Sequence, residues 1–78
     1  MSRPIYEIAK AIRSDWQNIN FAAAPYLSAM AEIDNVRDDY MYDTGRSVVL
    51  YFLSNSSSWR GDTARKIKAE LKTALKEA

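Results

Sequence analysis

Apolar residues recur at helical spacing at both ends of the chain. Ile5, Ile8, Ile12 and Trp16 stand three or four positions apart with Ala9 and Ala11 beside them, which predicts an amphipathic helix. Ser2 is positioned to cap it, and Pro4 fits the first turn, where a missing N–H costs nothing. Asn18 and Asn20 offer side-chain bonds that compete with the helical backbone, so this helix is expected to stop near residues 15–17. At the other end Ala64, Ile67, Leu71, Ala74 and Leu75 form one stripe, extended backwards by Trp59. Ala, Lys, Glu and Leu fill the rest of that final helix.

Between these two lie less regular segments. Tyr26, Leu27, Met30 and Ile33 are the inward candidates of a second helix that ends by Asn35. Pro25 deep inside a helix would clash with the preceding turn, so the start is expected between Ala22 and Ala24. From Asp34 to Gly45 there is no apolar period, and Asp43-Thr44-Gly45 is turn-prone, so this stretch is read as the long connection of the fold. SVVLYFLS, Ser47 to Ser54, is ambiguous: its β-branched and aromatic content suits a strand, while a nearly continuous apolar run also suits a buried helix. A lone strand would lack a partner among helical neighbours, which favours a short buried helix. The serine run from Ser54 to Ser58 reads as a turn whose last serine caps the final helix.

The expected fold is therefore all-α, a single domain over residues 1–78 built as a compact bundle of three to four short helices. The first, third and last helices are expected to pack around Ile8, Ile12, Val49, Phe52, Leu53, Trp59, Ile67 and Leu71. A chain of 78 residues supports one core, burying about 60 to 65% of the surface its unfolded form exposes. At 47% hydrophobic and 27% charged residues it is too apolar for disorder and charged enough for solubility. No cysteine is present, which suits a cytosolic setting better than a small secreted domain. No apolar run approaches the roughly 18 residues of a membrane span, and charges interrupt MSRPIYEIAKAIRSDW where a signal peptide would be apolar. Without export, the Asn55-Ser56-Ser57 sequon and the Arg60-Gly61-Asp62 tripeptide are chance strings.

Charge changes the picture more than composition does. The formal net charge is only +1, yet Glu32, Asp34, Asp38, Asp39 and Asp43 face a single Arg37, a local charge of −4. From Trp59 onward six basic residues face three acidic ones, a local charge of +3. Such segregation steers association without doing chemistry. Asp38, Asp39, Tyr40, Tyr42 and Asp43 are the candidate partner-binding residues, since tyrosines bring contact area at low entropic cost and carboxylates select a basic partner. Such a surface could mimic a nucleic-acid strand and occupy the groove of a DNA- or RNA-handling protein. The bland alternative is a solvated loop whose Tyr40 or Tyr42 folds back onto the core.

The opposite reading places phosphate contacts on the last helix. Arg65, Lys68, Lys72 and Lys76 fall within about 80° of one another beside the apolar stripe, with Arg60 preceding them. Arg60, Arg65, Lys68 and Lys72 are therefore the candidate nucleic-acid-binding residues. Against this, Glu70 and Glu77 interrupt the helix, and a sequence pI near 8.0 is lower than expected of a dedicated nucleic-acid domain. Trp16 and Trp59 read as core pillars at helix ends rather than stacking platforms.

Catalysis has little to work with. There is no histidine and no cysteine, which removes the commonest general base, the thiol nucleophile and most transition-metal ligands. Asp34 to Gly45 has the length of a calcium loop, but it lacks glycine at its sixth position and glutamate at its twelfth. Gly45 and Gly61 build no phosphate-cradling loop. No enzyme activity, cofactor or metal is expected.

The Asp15-Trp16, Pro25-Tyr26-Leu27, Tyr51-Phe52-Leu53 and Trp59-Arg60-Gly61 blocks, together spanning nearly the whole chain, resemble short uncharacterised proteins of phages and integrative elements of Gram-positive bacteria. The resemblance implies a mobile-element protein that binds and inhibits a host or defence protein, including a nucleic-acid-handling effector such as a CRISPR nuclease, in the cytoplasm of a bacterial host cell. The alternative is a small nucleic-acid-binding accessory protein using the basic C-terminal helix. A third reading joins the acidic middle of one copy to the basic helix of another, head to tail.

Overall fold

The computed structural model describes residues 3–40 and 43–77, with the backbone alone for Tyr40. Four helices are present among them: α1 (Ile5–Asp15), α2 (Ala24–Met30), α3 (Gly45–Ser54) and α4 (Asp62–Glu77). One two-stranded antiparallel ribbon, β1 (Asp39–Tyr40) with β2 (Asp43–Thr44), interrupts the connection between α2 and α3. The chain is thus an all-α bundle, and Ser47 to Ser54 is helical. The connection that reads as irregular from the sequence thus carries a small ribbon, with Asp39 opposite Thr44 and Tyr40 opposite Asp43.

α1 buries Ile5, Ile8, Ala9 and Ile12 on one face. Pro4 stands just outside it as the N-cap residue and offers no side-chain bond. The exposed first-turn donors are met from across the fold: Ile5 N–H donates to the Asp34 carbonyl at 2.7 Å and Tyr6 N–H to that of Ile33 at 3.0 Å. Ser2, expected as the cap, lies outside the described residues. α2 begins where the Asn20 side chain accepts the Ala22 N–H at 3.0 Å, and Pro25 sits in its first turn. Leu27, Ala29 and Met30 are buried along it, and Ile33 follows them into the core from the connection. The second helix therefore belongs to the packed core beside the first, third and last, with Leu27, Met30 and Ile33 inward as their spacing predicts, and it makes its most extensive contact with α3.

Thr44 caps α3, its hydroxyl accepting the Ser47 N–H at 3.2 Å. Val48, Val49 and Phe52 point inward and Leu53 is half-buried, whereas Leu50 and Tyr51 are exposed. A continuous apolar run wound into a helix cannot bury every side when only one face meets the core. α4 buries Ala64, Ile67, Leu71 and Leu75, with Ala74 half-buried. It begins at Asp62, later than the serine run suggests. Ser58 is not its cap; the Gly61 carbonyl accepts the first helical bond, from Arg65 N–H at 3.0 Å, with Gly61 at φ 115°.

Trp59 consequently sits in the turn before α4, buried nonetheless. Its indole stacks on Trp16, with centroids 5.7 Å apart and planes at 10°. Phe52 meets both rings edge-on at 6.1 and 6.4 Å. The Trp59 Nε1–H donates to Asp15 Oδ2 at 2.8 Å, which ties the turn to the end of α1. Arg46 Nη1 donates to the Leu75 carbonyl at 3.0 Å and satisfies one of the orphan acceptors ending α4. Among the described residues no buried side-chain polar atom lacks a partner.

Candidate interaction site

The acidic connection is built as an ordered loop. Ile33 and Val36 are buried, so the chain is pinned to the core at two points while the residues around them stay outside. Asp38 closes the loop on itself: its Oδ2 accepts Asp34 N–H at 2.8 Å and Asn35 N–H at 3.2 Å. Asn35 Oδ1 accepts Arg37 N–H at 2.7 Å. Two backbone bonds then fasten the returning strand, Gly45 N–H to the Asp38 carbonyl at 2.6 Å and Arg46 N–H to that of Val36 at 2.8 Å. Gly45 is required by proximity, because a β-carbon there would stand 2.8 Å from the Asn35 carbonyl oxygen and 3.1 Å from that of Asp38.

Of the candidate contact residues Asp38, Asp39, Tyr40, Tyr42 and Asp43, the structure describes the side chains of the three aspartates and gives them different surroundings. Asp38 is half-buried and spends its carboxylate on the loop's own amides. Asp39 and Asp43 are exposed. Asp39 pairs with Thr44 and Tyr40 with Asp43, and cross-strand partners share a face of a ribbon. Asp39 and Asp43 therefore lie on opposite faces, one carboxylate to each side. Tyr42 lies outside the described residues. Asp34, at the root of the loop, is a further exposed acid.

The basic ridge is dispersed by its own contacts. Arg65 is paired with Asp62, one turn back on the exposed surface of α4. Lys68 turns away from solvent: its Nζ donates to the Ser56 carbonyl at 2.8 Å and the Trp59 carbonyl at 2.7 Å, and it lies 5.7 Å from the Trp59 ring centroid. Burial holds its pKa below the usual lysine range, and the neighbouring charges of Lys72 and Arg60 push it the same way. Arg60 and Lys72 remain exposed. Glu70, expected only to dilute the ridge, forms a bidentate pair with Arg3, at 2.9 and 2.8 Å. Those hydrogen bonds hold the Glu70 carboxyl below its ordinary range and raise the Arg3 pKa, against the opposing effect of desolvation.

Sequence reasoning missed a second surface. Phe21 is 89% exposed, Tyr51 51% and Leu50 44%, and the Tyr51 ring lies 5.4 Å from that of half-buried Tyr26. A signal was present: Trp16 to Ala31 and Ser47 to Trp59 contain no charged residue. Among the described residues no group of three or more acidic side chains is arranged to hold a metal ion, and no helix is long and apolar enough to cross a membrane. Comparison with protein-family models, curated proteins and solved structures returned no significant match.

Proposed function

We propose that this chain is a non-enzymatic protein-interaction module of a mobile genetic element, acting by binding and inhibiting a host or defence protein through its acidic hairpin. The observation that carries the reading is the ordered, two-sided presentation of Asp39 and Asp43 on a short ribbon anchored by Asp38, Gly45 and Arg46. An acidic ribbon with a carboxylate on each face suits a groove with basic groups on both walls, and nucleic-acid-handling proteins, CRISPR nucleases among them, have such grooves. Anchoring the loop before binding reduces the ordering cost at the interface. The setting within mobile elements rests on the resemblance of the sequence blocks alone.

The nucleic-acid alternative draws less support from the geometry. Of the four residues it needs, Arg65 is paired and Lys68 is turned inward, which leaves Arg60 and Lys72 as a sparse phosphate-facing set. Immobilised protein exposed to a nuclease-treated Gram-positive bacterial lysate tests the choice. A protein partner retained by the wild type and lost by the Asp39→Asn/Asp43→Asn double variant supports the hairpin reading. Loss of every partner on nuclease treatment contradicts it.

A further inference from the structure

We infer that the cavity at the root of the acidic hairpin receives a long basic side chain, lysine or arginine, from the partner that the hairpin engages. The partner rests on the hairpin reading above, while the choice of side chain rests on the cavity. This hollow of about 360 Å³ lies where the start of α1, residues 34–37 and the last turn of α4 meet. Buried Ile5 and Val36, with half-buried Pro4 and Ala74, form its floor, and exposed Asp34, Arg37 and Glu77 stand around its mouth. The Asp38 carboxylate that closes the loop bonds the Asp34 and Asn35 amides, so this wall is ordered before any partner arrives.

Charge selects the occupant. Arg3 lines the cavity too, but its guanidinium is committed to Glu70 through two hydrogen bonds, at 2.9 and 2.8 Å. The positive end of α1 is likewise engaged, with Ile5 and Tyr6 donating their N–H groups to the Asp34 and Ile33 carbonyls. On the negative side, the Asp34 and Glu77 carboxylates have no partner among the described residues, and the last turn of α4 carries the negative end of its dipole. Among the described lining residues only Arg37 opposes them with a charge not already paired. An anion would therefore meet two unpaired carboxylates against one arginine, and a neutral apolar group would leave both carboxylates unanswered. A lysine or arginine matches floor and mouth together: its aliphatic stem covers the apolar residues while its charged head reaches the acids.

Titration of the isotope-labelled full chain with acetylated, amidated arginine, followed by NMR at about 0.15 M salt to screen diffuse attraction, provides the test. Amide shifts at Asn35, Val36, Arg37 and Ala74 should saturate with a dissociation constant on the order of 1 to 10 mM, as befits one side chain. Asp34→Asn/Glu77→Gln should weaken binding at least about fivefold and Arg37→Gln should tighten it about twofold, all three at exposed positions and with an unchanged helical spectrum. Norleucine with the same end groups keeps the stem without the head, and should bind at least about fivefold more weakly than arginine; similarly blocked glutamate should bind more weakly still. Asp39→Asn/Asp43→Asn should bind arginine like the wild type, so the cavity and the hairpin can fail separately. No saturation up to about 50 mM, norleucine or glutamate binding as well as arginine, or an Arg37→Gln variant that binds no tighter overturns the proposal. So does an equal loss in the Asp39/Asp43 and Asp34/Glu77 variants, which would indicate attraction to the acidic segment as a whole.

Discussion

Lys68 is joined to Trp59 twice, by a 2.7 Å hydrogen bond to its carbonyl and by an ammonium lying 5.7 Å from its ring centroid. The same ammonium donates to the Ser56 carbonyl at 2.8 Å, which also accepts the Trp59 N–H at 3.0 Å, so one side chain of α4 gathers the turn that precedes its helix. The indole is also held by Trp16, which stacks on it, and by Asp15, which accepts its Nε1–H. A residue that reads as part of a phosphate-binding ridge is thereby a strut of the core.

Replacing this strut should therefore cost stability. Lys68→Met is expected to lower unfolding free energy by about 1 to 3 kcal/mol, the range for losing hydrogen bonds from a charged donor, with the Ser56 carbonyl keeping only its bond from the Trp59 N–H. Lys72→Met, on the exposed side of the same ridge, should stay within about 0.5 kcal/mol of the wild type. Urea titrations of both variants measure the difference, and equal midpoints would show that the Lys68 contacts carry no weight.

Asp38 separates anchoring from docking within the acidic segment. Asp38→Ala removes the acceptor of two backbone N–H groups and is expected to cost about 1 to 2 kcal/mol. Hydrogen exchange at the Gly45 amide, bonded to the Asp38 carbonyl at 2.6 Å, should accelerate with it. Asp39→Asn and Asp43→Asn should leave both stability and that exchange rate close to wild type. Faster Gly45 exchange in the Asp43 variant would mean that the ribbon depends on the very carboxylates assigned to a partner.

The two glycines should respond to alanine for different reasons. At Gly45 the new β-carbon meets backbone oxygens at 2.8 and 3.1 Å, which cannot move without opening the loop, and a loss of about 1 to 3 kcal/mol is expected. At Gly61 the space is open and only the positive φ of 115° opposes the change, so the loss should be about 1 kcal/mol. Thermal melts rank the pair, and a larger effect at Gly61 would contradict the close approach at Gly45.

Acid should act through Glu70. Its carboxyl is held below the unfolded value near about 4.3, so the stability from pairing with Arg3 is fully present above that pH. It is lost as pH falls through the lower folded-state value. Glu70→Gln is expected to cost less than about 1 kcal/mol at neutral pH, since the Arg3 side chain is 44% exposed, and to flatten the loss as pH falls through the lowered folded-state value. Parallel acid dependence in variant and wild type would assign the acid sensitivity elsewhere.

The helices were legible because each has a face defined by local spacing. Ile5, Ile8, Ile12 and Trp16 read as a face from the sequence and are buried as one. The run Ser47 to Ser54 yielded its helical state to context, but not its exposed side, because continuous apolar composition carries no phase. Lys68 and Asp38 make bonds that the spacing does not show: both reach backbone groups that only the folded turns bring into range, at Ser56 and Trp59 for one and at Asp34 and Asn35 for the other. Trp59 continued the stripe of α4 in register, yet Gly61 at φ 115° breaks the helix before reaching it. The positions of Asp39 and Asp43 on opposite faces follow from a strand register that the hydrophobic pattern does not encode.

The hairpin claim is tested most directly by the binding kinetics of a captured basic partner with wild type and with Asp39→Asn/Asp43→Asn, at low and at high salt. Removing one carboxylate from each face of the ribbon should slow association about tenfold or more at low salt. The difference should shrink as salt screens the wild type. The double variant should retain its helical circular-dichroism spectrum and its unfolding midpoint. Identical association rates at every salt concentration, from a variant that is fully folded, would contradict the account and remove the acidic hairpin from the interface.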